Sequence, residues 1–357
     1  DAEQLAAIKG VNLVVGNRDK DKIIDIIDDY SSKNTTGKTK IIADAIDKHT
    51  KLVPVMYSQK HRRTRAFVKI QDGCESFCSY CIVPFSRGPI RSKLPDDVVK
   101  EINQLILLGY REIVLTGIHT GFYGKDLDNW NLIKLLRYIF SLVKGDYRIR
   151  LSSVEPLEVT EELIDLMVED RKLCRHLHIP LQSGSNKILK AMNRRYNREY
   201  YYDLITSIAK KIPGIAFTAD VMVGFPLEED EDFQDTFDLL NELPIFDLHV
   251  FKYSPRPGTK AALYRPVVSE RQKHERSDKL LQLAAEKHEH FIKGMLGREF
   301  LVLIERNLGS DIYTGLTDNY IEVQCTSDQD ITGTFTRISI NKVENSNVIG
   351  KLIQCNS

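Results

Sequence analysis

Three cysteines within eight residues constrain this chain more than any other feature. Cys74, Cys78 and Cys81 stand in a C-x3-C-x2-C spacing within KIQDGCESFCSYCIVPFSRGPIRSK, residues 69–93. An extended apolar segment, 66–70, and an Asp72-Gly73 turn signal lead into the run. Three thiolates on one loop can hold three irons of a [4Fe-4S] cluster, since thiolate is the ligand such clusters use. The fourth iron is then open to a small molecule with amine and carboxylate groups. Two blander readings compete. Structural zinc takes four protein ligands, usually as two closely spaced pairs, and no partner pair follows here. Buried apolar cysteines are common, but Gly73, Glu75, Ser76 and Ser79 make this segment polar and loop-like.

The other three cysteines, Cys174, Cys325 and Cys355, are scattered and form no disulfide framework. A reducing, cytoplasmic setting is expected, with no membrane association, because no apolar run approaches the ~18 residues of a membrane span. Lys+Arg and Asp+Glu are both 50, so overall charge gives no argument for nucleic acid and any such site must be a local patch.

From residue 96 onward, helical and strand-like patterns alternate. Helices are expected over 96–108, 132–143, 161–167, 186–192, 200–211 and 231–240. Strands are expected over 112–115, 147–151, 176–180, 216–223 and 248–251. About six βα units of this length imply a parallel sheet with covering helices, an α/β partial barrel. Ligands of such barrels sit at the C-terminal ends of the strands. Thr116-Gly117, Ser152-Ser153 with Glu155, and Gln182-Ser183 fall there. Gly117 alone is equally a turn residue, and Glu155 equally a solvated charge. His176 and His178 alternate on one strand and read as structural histidines.

On these motifs the chain resembles the radical S-adenosylmethionine (SAM) enzymes, with Tyr80 as the aromatic residue before the last cysteine. The run IVPFSRG from Ile82, with Arg91 and Ser92, is similar to their methylthiotransferase branch. The resemblance continues through LTGIHTGFYG, SSVEP, HLHIPLQSGSNKILKAMNRRY, VMVGFP and YSPRPGT, and so covers most of the chain. It implies a partial (β/α)6 TIM-like radical SAM barrel followed by a small antiparallel β-barrel of the TRAM type. It also implies SAM and a [4Fe-4S] cluster with one open iron, with Cys74, Cys78 and Cys81 as metal ligands and catalytic residues. Tyr80, Thr116, Gly117, Ser153, Glu155, Gln182, Arg194, Val223 and Phe251 would surround the cofactors. In this reading Thr116-Gly117 meets the methionine amine, Arg194 its carboxylate, and the strand ending at Val223 the adenine. The usual Gly-Glu pair after VMVGFP is replaced by Leu227-Glu228, which puts the loop conformation there in question.

Residues 1–57 resemble the end of the family's N-terminal α/β domain, a βα unit followed by a linker over 28–51, with 58–290 as the radical SAM domain and 291–357 as the RNA-binding barrel. In the family that N-terminal domain carries three further cysteines for a second [4Fe-4S] cluster, which would precede Asp1. The chain as given is therefore expected to cleave SAM without completing methylthiolation. LHVFKYSPRPGT from Leu248 and YTGLTDNYIEV from Tyr313 are similar to the members that modify N6-threonylcarbamoyladenosine in tRNA. Specificity for isopentenyladenosine or a ribosomal protein is the alternative within the family, and a non-enzymatic metal and RNA-binding protein is the alternative outside it. The partners expected are a tRNA anticodon stem-loop and an electron-donor protein, with the enzyme a monomer. Residues 291–357 carry six basic against eight acidic residues, a balance of 6 − 8 = −2, so the barrel itself is poorly suited to phosphate. Stacking on Tyr313, Tyr320 and Phe335 is one option, against a core role for the same rings. The basic runs 60–65, 87–93 and 194–198 are the expected phosphate contacts.

Overall fold

The computed structural model describes residues 2–33, 39–44, 46–47, 50, 52–55, 57, 64–344 and 347–353; residues 60–63 of the first basic run and Cys355 lie outside them. The chain begins with a short helix, Ala2–Ala6, then β1 (Leu13–Val15), a helix Ile23–Lys33 and β2 (Lys40–Ile42). β1 and β2 pair in parallel with Val14 opposite Ile41, making a βαβ unit. The expected linker therefore contains a strand, one too short to betray itself by alternation.

A two-residue antiparallel ribbon, β4 (Gln71–Asp72) with β5 (Arg91–Ser92), clamps the ends of the cysteine loop just beyond β3 (Arg65–Lys69). The barrel continues with β6 (Glu112–Thr116), β7 (Arg148–Leu151), β8 (His176–His178), β9 (Ala216–Val223) and β10 (Asp247–Lys252). β3, β6 and β7 form one parallel sheet and β8, β9 and β10 another. Parallel bridges Ile149–Leu173 and Ser153–His178 join them, so the six strands run in chain order as an open barrel.

Successive side chains of a strand face opposite ways. Val68, Ile113, Leu115, Ile149, Leu151, Leu177, Phe217, Ala219 and Val221 enter the main core beneath the helices. The helices answer with apolar stripes at three- and four-residue spacing, such as Leu132, Leu135, Leu136 and Ile139 in the helix Leu132–Leu142. Asn131 caps that helix by accepting from the Lys134 amide at 2.8 Å. The opposite strand faces turn into the barrel and are polar: Glu112, Arg148, Arg150, His176, His178, Thr218, Asp220 and His249 meet one another there.

After the helix Glu270–Lys293, whose N-terminus Ser269 and Gln272 close as a capping box, come β11 (Glu299–Gly309), β12 (Ile312–Leu316), β13 (Glu322–Thr326), β14 (Phe335–Glu344) and β15 (Asn347–Leu352). They close as β11-β12-β13-β15-β14. The expected barrel is present, but one pair, β13 with β15, is parallel. Five strands cannot alternate in direction around a closed ring, so one parallel neighbour is unavoidable.

This small barrel seats on the N-terminal ends of the large barrel's strands. The turn after β12 plugs the opening: Arg148 donates to the Leu316 carbonyl at 2.8 Å, and Arg150 to those of Thr317 and Asp318 at 3.1 and 3.0 Å. Arg175 pairs with Asp318 at 2.7 Å, and Tyr320 stacks on His176 with centroids 4.5 Å apart. Glu112, wholly buried, holds Arg148 at 2.5 Å and Arg150 at 2.7 Å. Burial opposes its charge, but the two guanidiniums outweigh burial and bring its carboxyl down to about 2.

Because the folded-state value lies below the usual 4.5, this contribution to stability is complete above pH 4.5 and is lost as pH falls toward about 2. Glu112→Gln leaves two buried guanidiniums short of a counter-charge and is expected to cost about 3–5 kcal/mol. Urea unfolding of the variant at pH 7 checks this, and wild-type stability should fall steeply between pH 4.5 and 2. A variant within about 0.5 kcal/mol of wild type, the scatter of ordinary surface substitutions, would contradict it.

Candidate active site

The cysteine loop lies at the C-terminal end of β3, at the barrel mouth opposite the plugged base. Its backbone is pinned from two sides. Ser79 donates from N and Oγ to the carbonyls of Met192 and Ala191 at 3.0 and 2.8 Å, and its own carbonyl accepts from Ala261 N at 2.8 Å. Gln71, fully buried, donates to the Gly73 carbonyl at 2.7 Å while its Oε1 accepts from His119 N at 2.8 Å. A Cβ on Gly117 would meet that same Oε1 at 2.9 Å, so glycine is needed for this close approach.

All three cysteines are free and partly buried. Each of two sulfurs has its own donors. Cys78 Sγ receives Arg194 Nη1 at 3.4 Å. Cys74 Sγ receives the Ser76 amide at 3.5 Å and lies 3.5 Å from His119 Nδ1. Burial pushes all three thiols up; for Cys74 the His119 and Ser76 contacts outweigh it and the thiol ends low, while Cys78 and Cys81 stay raised. His119 in turn pairs through Nε2 with Glu158 at 2.5 Å and stacks on Phe122 at 3.5 Å. Burial disfavours the imidazolium, but Cys74 and Glu158 together lift it to about 9. The residues present thus suit an anionic cluster with thiolate ligands.

The other residues singled out in the sequence fall around this loop, with two differences. Tyr80 packs into a small apolar cluster, edge-on to Phe225 at 6.5 Å. Thr116 ends β6, its carbonyl accepting from Ile70 N at 2.9 Å. Ser153 bridges to His178, and Gln182, at φ 67°, bridges to Val221. Glu155 pairs with Arg194. Arg194 is already shared among Glu155, Cys78 and the Tyr196 hydroxyl at 3.2 Å, so it is first a partner of the cysteine loop. Val223 sends its side chain to the helix-side core and offers only its carbonyl, which accepts from Tyr253 N at 2.9 Å. The mouth-facing residues at that level are Met222 and its register partner Phe251, which is half exposed. The Ser185 cap is present, accepting from Ile188 N at 3.4 Å.

The surface expected to meet RNA is rearranged. Tyr313 is a core residue of the small barrel, Tyr320 is taken by His176 and Arg150, and Phe335 lies under Arg148. Lys93 is buried against Glu101, Arg91 is buried beside Asp72, and Arg65 faces the base, bound to Glu305 at 2.7 Å. The mouth also exposes aromatic surface: Phe77 and Phe85, 52% and 68% exposed, pack edge to face at 6.0 Å beside the cysteines, while Arg195 of the third basic run stays exposed.

Comparison with known proteins agrees with this geometry. Residues 68–240 match the model of the Radical SAM superfamily. The chain is 39% identical over 348 residues to the threonylcarbamoyladenosine tRNA methylthiotransferase MtaB of Bacillus subtilis (strain 168), spanning 95% of this chain and 75% of that protein. Identity to the protein of the same name from Aquifex aeolicus (strain VF5) is 36%, over 90% and 76% of the two chains. A tRNA-2-methylthio-N(6)-dimethylallyladenosine synthase from Carboxydothermus hydrogenoformans is 39% identical over 71% of this chain and 60% of its own. Among solved structures, the radical S-adenosylmethionine methyltransferase TsrM from Kitasatospora setae superimposes with a TM-score of 0.50 at 18% identity, over 61% of this chain and 43% of that one, a likeness of fold.

The loop after β9 keeps its turn in an unusual way. Leu227 adopts φ 75°, a left-handed conformation costly for a side chain, while packing on the Phe225 cluster. Leu227→Gly trades packing for relief of this strain; Leu227→Val removes one methylene and places a β-branched residue at positive φ. Denaturant midpoints should therefore rank the valine variant below the glycine variant, by about 1 kcal/mol. The reverse order would mean that packing, not backbone conformation, governs the position.

Proposed function

Because the chain belongs to the radical SAM tRNA methylthiotransferases, we propose that it acts in adding a methylthio group to C2 of N6-threonylcarbamoyladenosine beside the anticodon of tRNA. It is a radical SAM transferase, and its cofactors are a [4Fe-4S] cluster and SAM. The observation that carries the reading is the convergence of three free cysteines, each in the cluster spacing, with Arg194 and His119 at the mouth of a parallel barrel. Cys74, Cys78 and Cys81 would hold three irons and leave one for the methionine amine and carboxylate. Bound there, the cluster would supply the single electron that reductive cleavage of SAM requires, the source of radical chemistry at C2 of the modified adenine.

The protein's own part is to bind and orient. The Thr116-Gly117 backbone would receive the methionine amine, and Glu155 fixes Arg194 so that its remaining N–H groups can share the carboxylate with the cluster thiolate. Met222, Phe251 and Gln182 border the adenine side of the mouth. Phe77 and Phe85 offer a face on which an unstacked base of an anticodon loop can lie, worth about 1–3 kcal/mol per base. Preference for the threonylcarbamoyl nucleoside rests on the two relatives named for it and on the match over almost the whole chain.

Sulfur insertion calls for more than this. Among the described residues Cys174 lies just before β8 and Cys325 in the core of the small barrel, each buried and away from the loop. We assign the radical step to the described residues and expect a second cluster, on further thiolates, to donate sulfur.

After anaerobic reconstitution and dithionite reduction, this chain is expected to form 5′-deoxyadenosine from SAM, and alanine at any one of Cys74, Cys78 or Cys81 should abolish it. Turnover by the triple alanine variant would refute the assignment. Product analysis on the two modified tRNAs then separates threonylcarbamoyl from isopentenyl specificity. His119→Ala removes a donor from Cys74 and is expected to lower the cluster midpoint potential by tens of millivolts, since hydrogen bonds to sulfur set that potential. A redox titration followed by EPR reads this apart from activity; an unchanged potential would make His119 a packing residue.

A further inference from the structure

The barrel interior holds a second constellation that the reaction above does not use. His178 on β8, Asp220 on β9 and His249 on β10 come from three adjacent parallel strands and occupy one interior layer. Asp220 and His249 are direct register partners. His178 Nε2 and His249 Nδ1 each lie 3.2 Å from the same oxygen, Asp220 Oδ1, and the three donor atoms all fall within 4.8 Å of one another. Adjacent donors bound at about 2.0–2.2 Å to one ion stand roughly 3–3.5 Å apart, which is the spacing of both nitrogen–oxygen edges.

The surroundings orient these donors as a metal site does. His178 Nδ1 lies 2.8 Å from Thr218 Oγ1, so the hydroxyl can accept its N–H and leave the Nε2 lone pair aimed inward. The site is not sealed, for the His249 side chain is 55% exposed, which leaves room for water or another oxygen ligand. Two imidazoles and a carboxylate with open positions suit a divalent first-row ion such as Zn2+ or Fe2+.

We propose that His178, Asp220 and His249 bind one divalent transition-metal ion inside the barrel, at a site separate from the cysteine loop. The reading does not depend on the substrate of the enzyme. The competing arrangement is a purely hydrogen-bonded His-Asp-His group.

The test titrates Co2+ into the whole chain carrying Cys74→Ala, Cys78→Ala and Cys81→Ala, so that no thiolate of the loop can take the ion. One equivalent should bind, with visible d–d absorption and no sulfur-to-metal charge-transfer band. Asp220→Asn or His178→Ala on this background should weaken binding at least tenfold, and Thr218→Val, which removes only the orienting hydroxyl, about tenfold. His249→Gln, at the exposed member, keeps the test usable should the less exposed variants fail to fold, and it too should weaken binding at least tenfold. Absence of Co2+ binding, or an affinity untouched by His249→Gln in a variant with wild-type melting, would overturn the proposal in favour of the hydrogen-bonded group.

Discussion

Everything in the large barrel follows from the two-residue period of a parallel strand whose outer face must be buried under helices. Once Val68, Ile113, Ile149, Leu177 and Phe217 are committed to the helix side, the alternate residues have nowhere to go but inward. The barrel has only six strands, and its interior carries charge by pairing it, as Glu112 does with Arg148 and Arg150. Its base is closed by Glu112 gripping Arg148 and Arg150, which in turn hold carbonyls of the turn after β12. Its middle carries the histidine and aspartate layer. Its mouth carries the cysteine loop, so one periodicity separates three chemistries along a single axis.

Docking of the small barrel at the base has a functional consequence. The mouth remains free for substrate, while the aromatic and basic residues of the small barrel that face inward serve assembly. Tyr320 spends its ring on His176, and Arg65 is spent on Glu305. Any RNA reaching the cysteines meets Phe77, Phe85 and the βαβ unit of β1 and β2, whose Asn17 accepts from Arg87 at 3.3 Å and so lies against the same loop.

Much of this was legible in the sequence because it is local. The cysteine spacing, the Ser185 cap and the strands from β6 to β10 each announce themselves within about ten residues. Contacts between strands do not. His119 stands inside LTGIHTGFYG, yet its bond to Glu158 joins loops after different strands. Asp220, a lone acid in AFTADVMV, gave a signal that alternation alone could have flagged as inward-facing. Val223 ends its strand at the mouth, yet its side chain turns to the helix-side core, since proximity along the chain says nothing of the pleat. The aromatics of the small barrel show the same limit: Tyr313 and Tyr320 look alike in sequence, and only closure of the barrel sends one to the core and the other to the interface. Leu227 shows the reverse, a sequence departure that the backbone absorbs by taking the left-handed conformation regardless.

The claim on which the rest turns is that Cys74, Cys78 and Cys81 hold a cubane with an open iron. The most direct measurement is the EPR spectrum of the anaerobically reconstituted, reduced chain with and without SAM, alongside iron and sulfide analysis. The expected result is about four irons and four sulfides per chain, the content of one cubane, with a signal that shifts when SAM binds. Zinc without labile sulfide, or a cluster signal that SAM leaves unchanged, would contradict it.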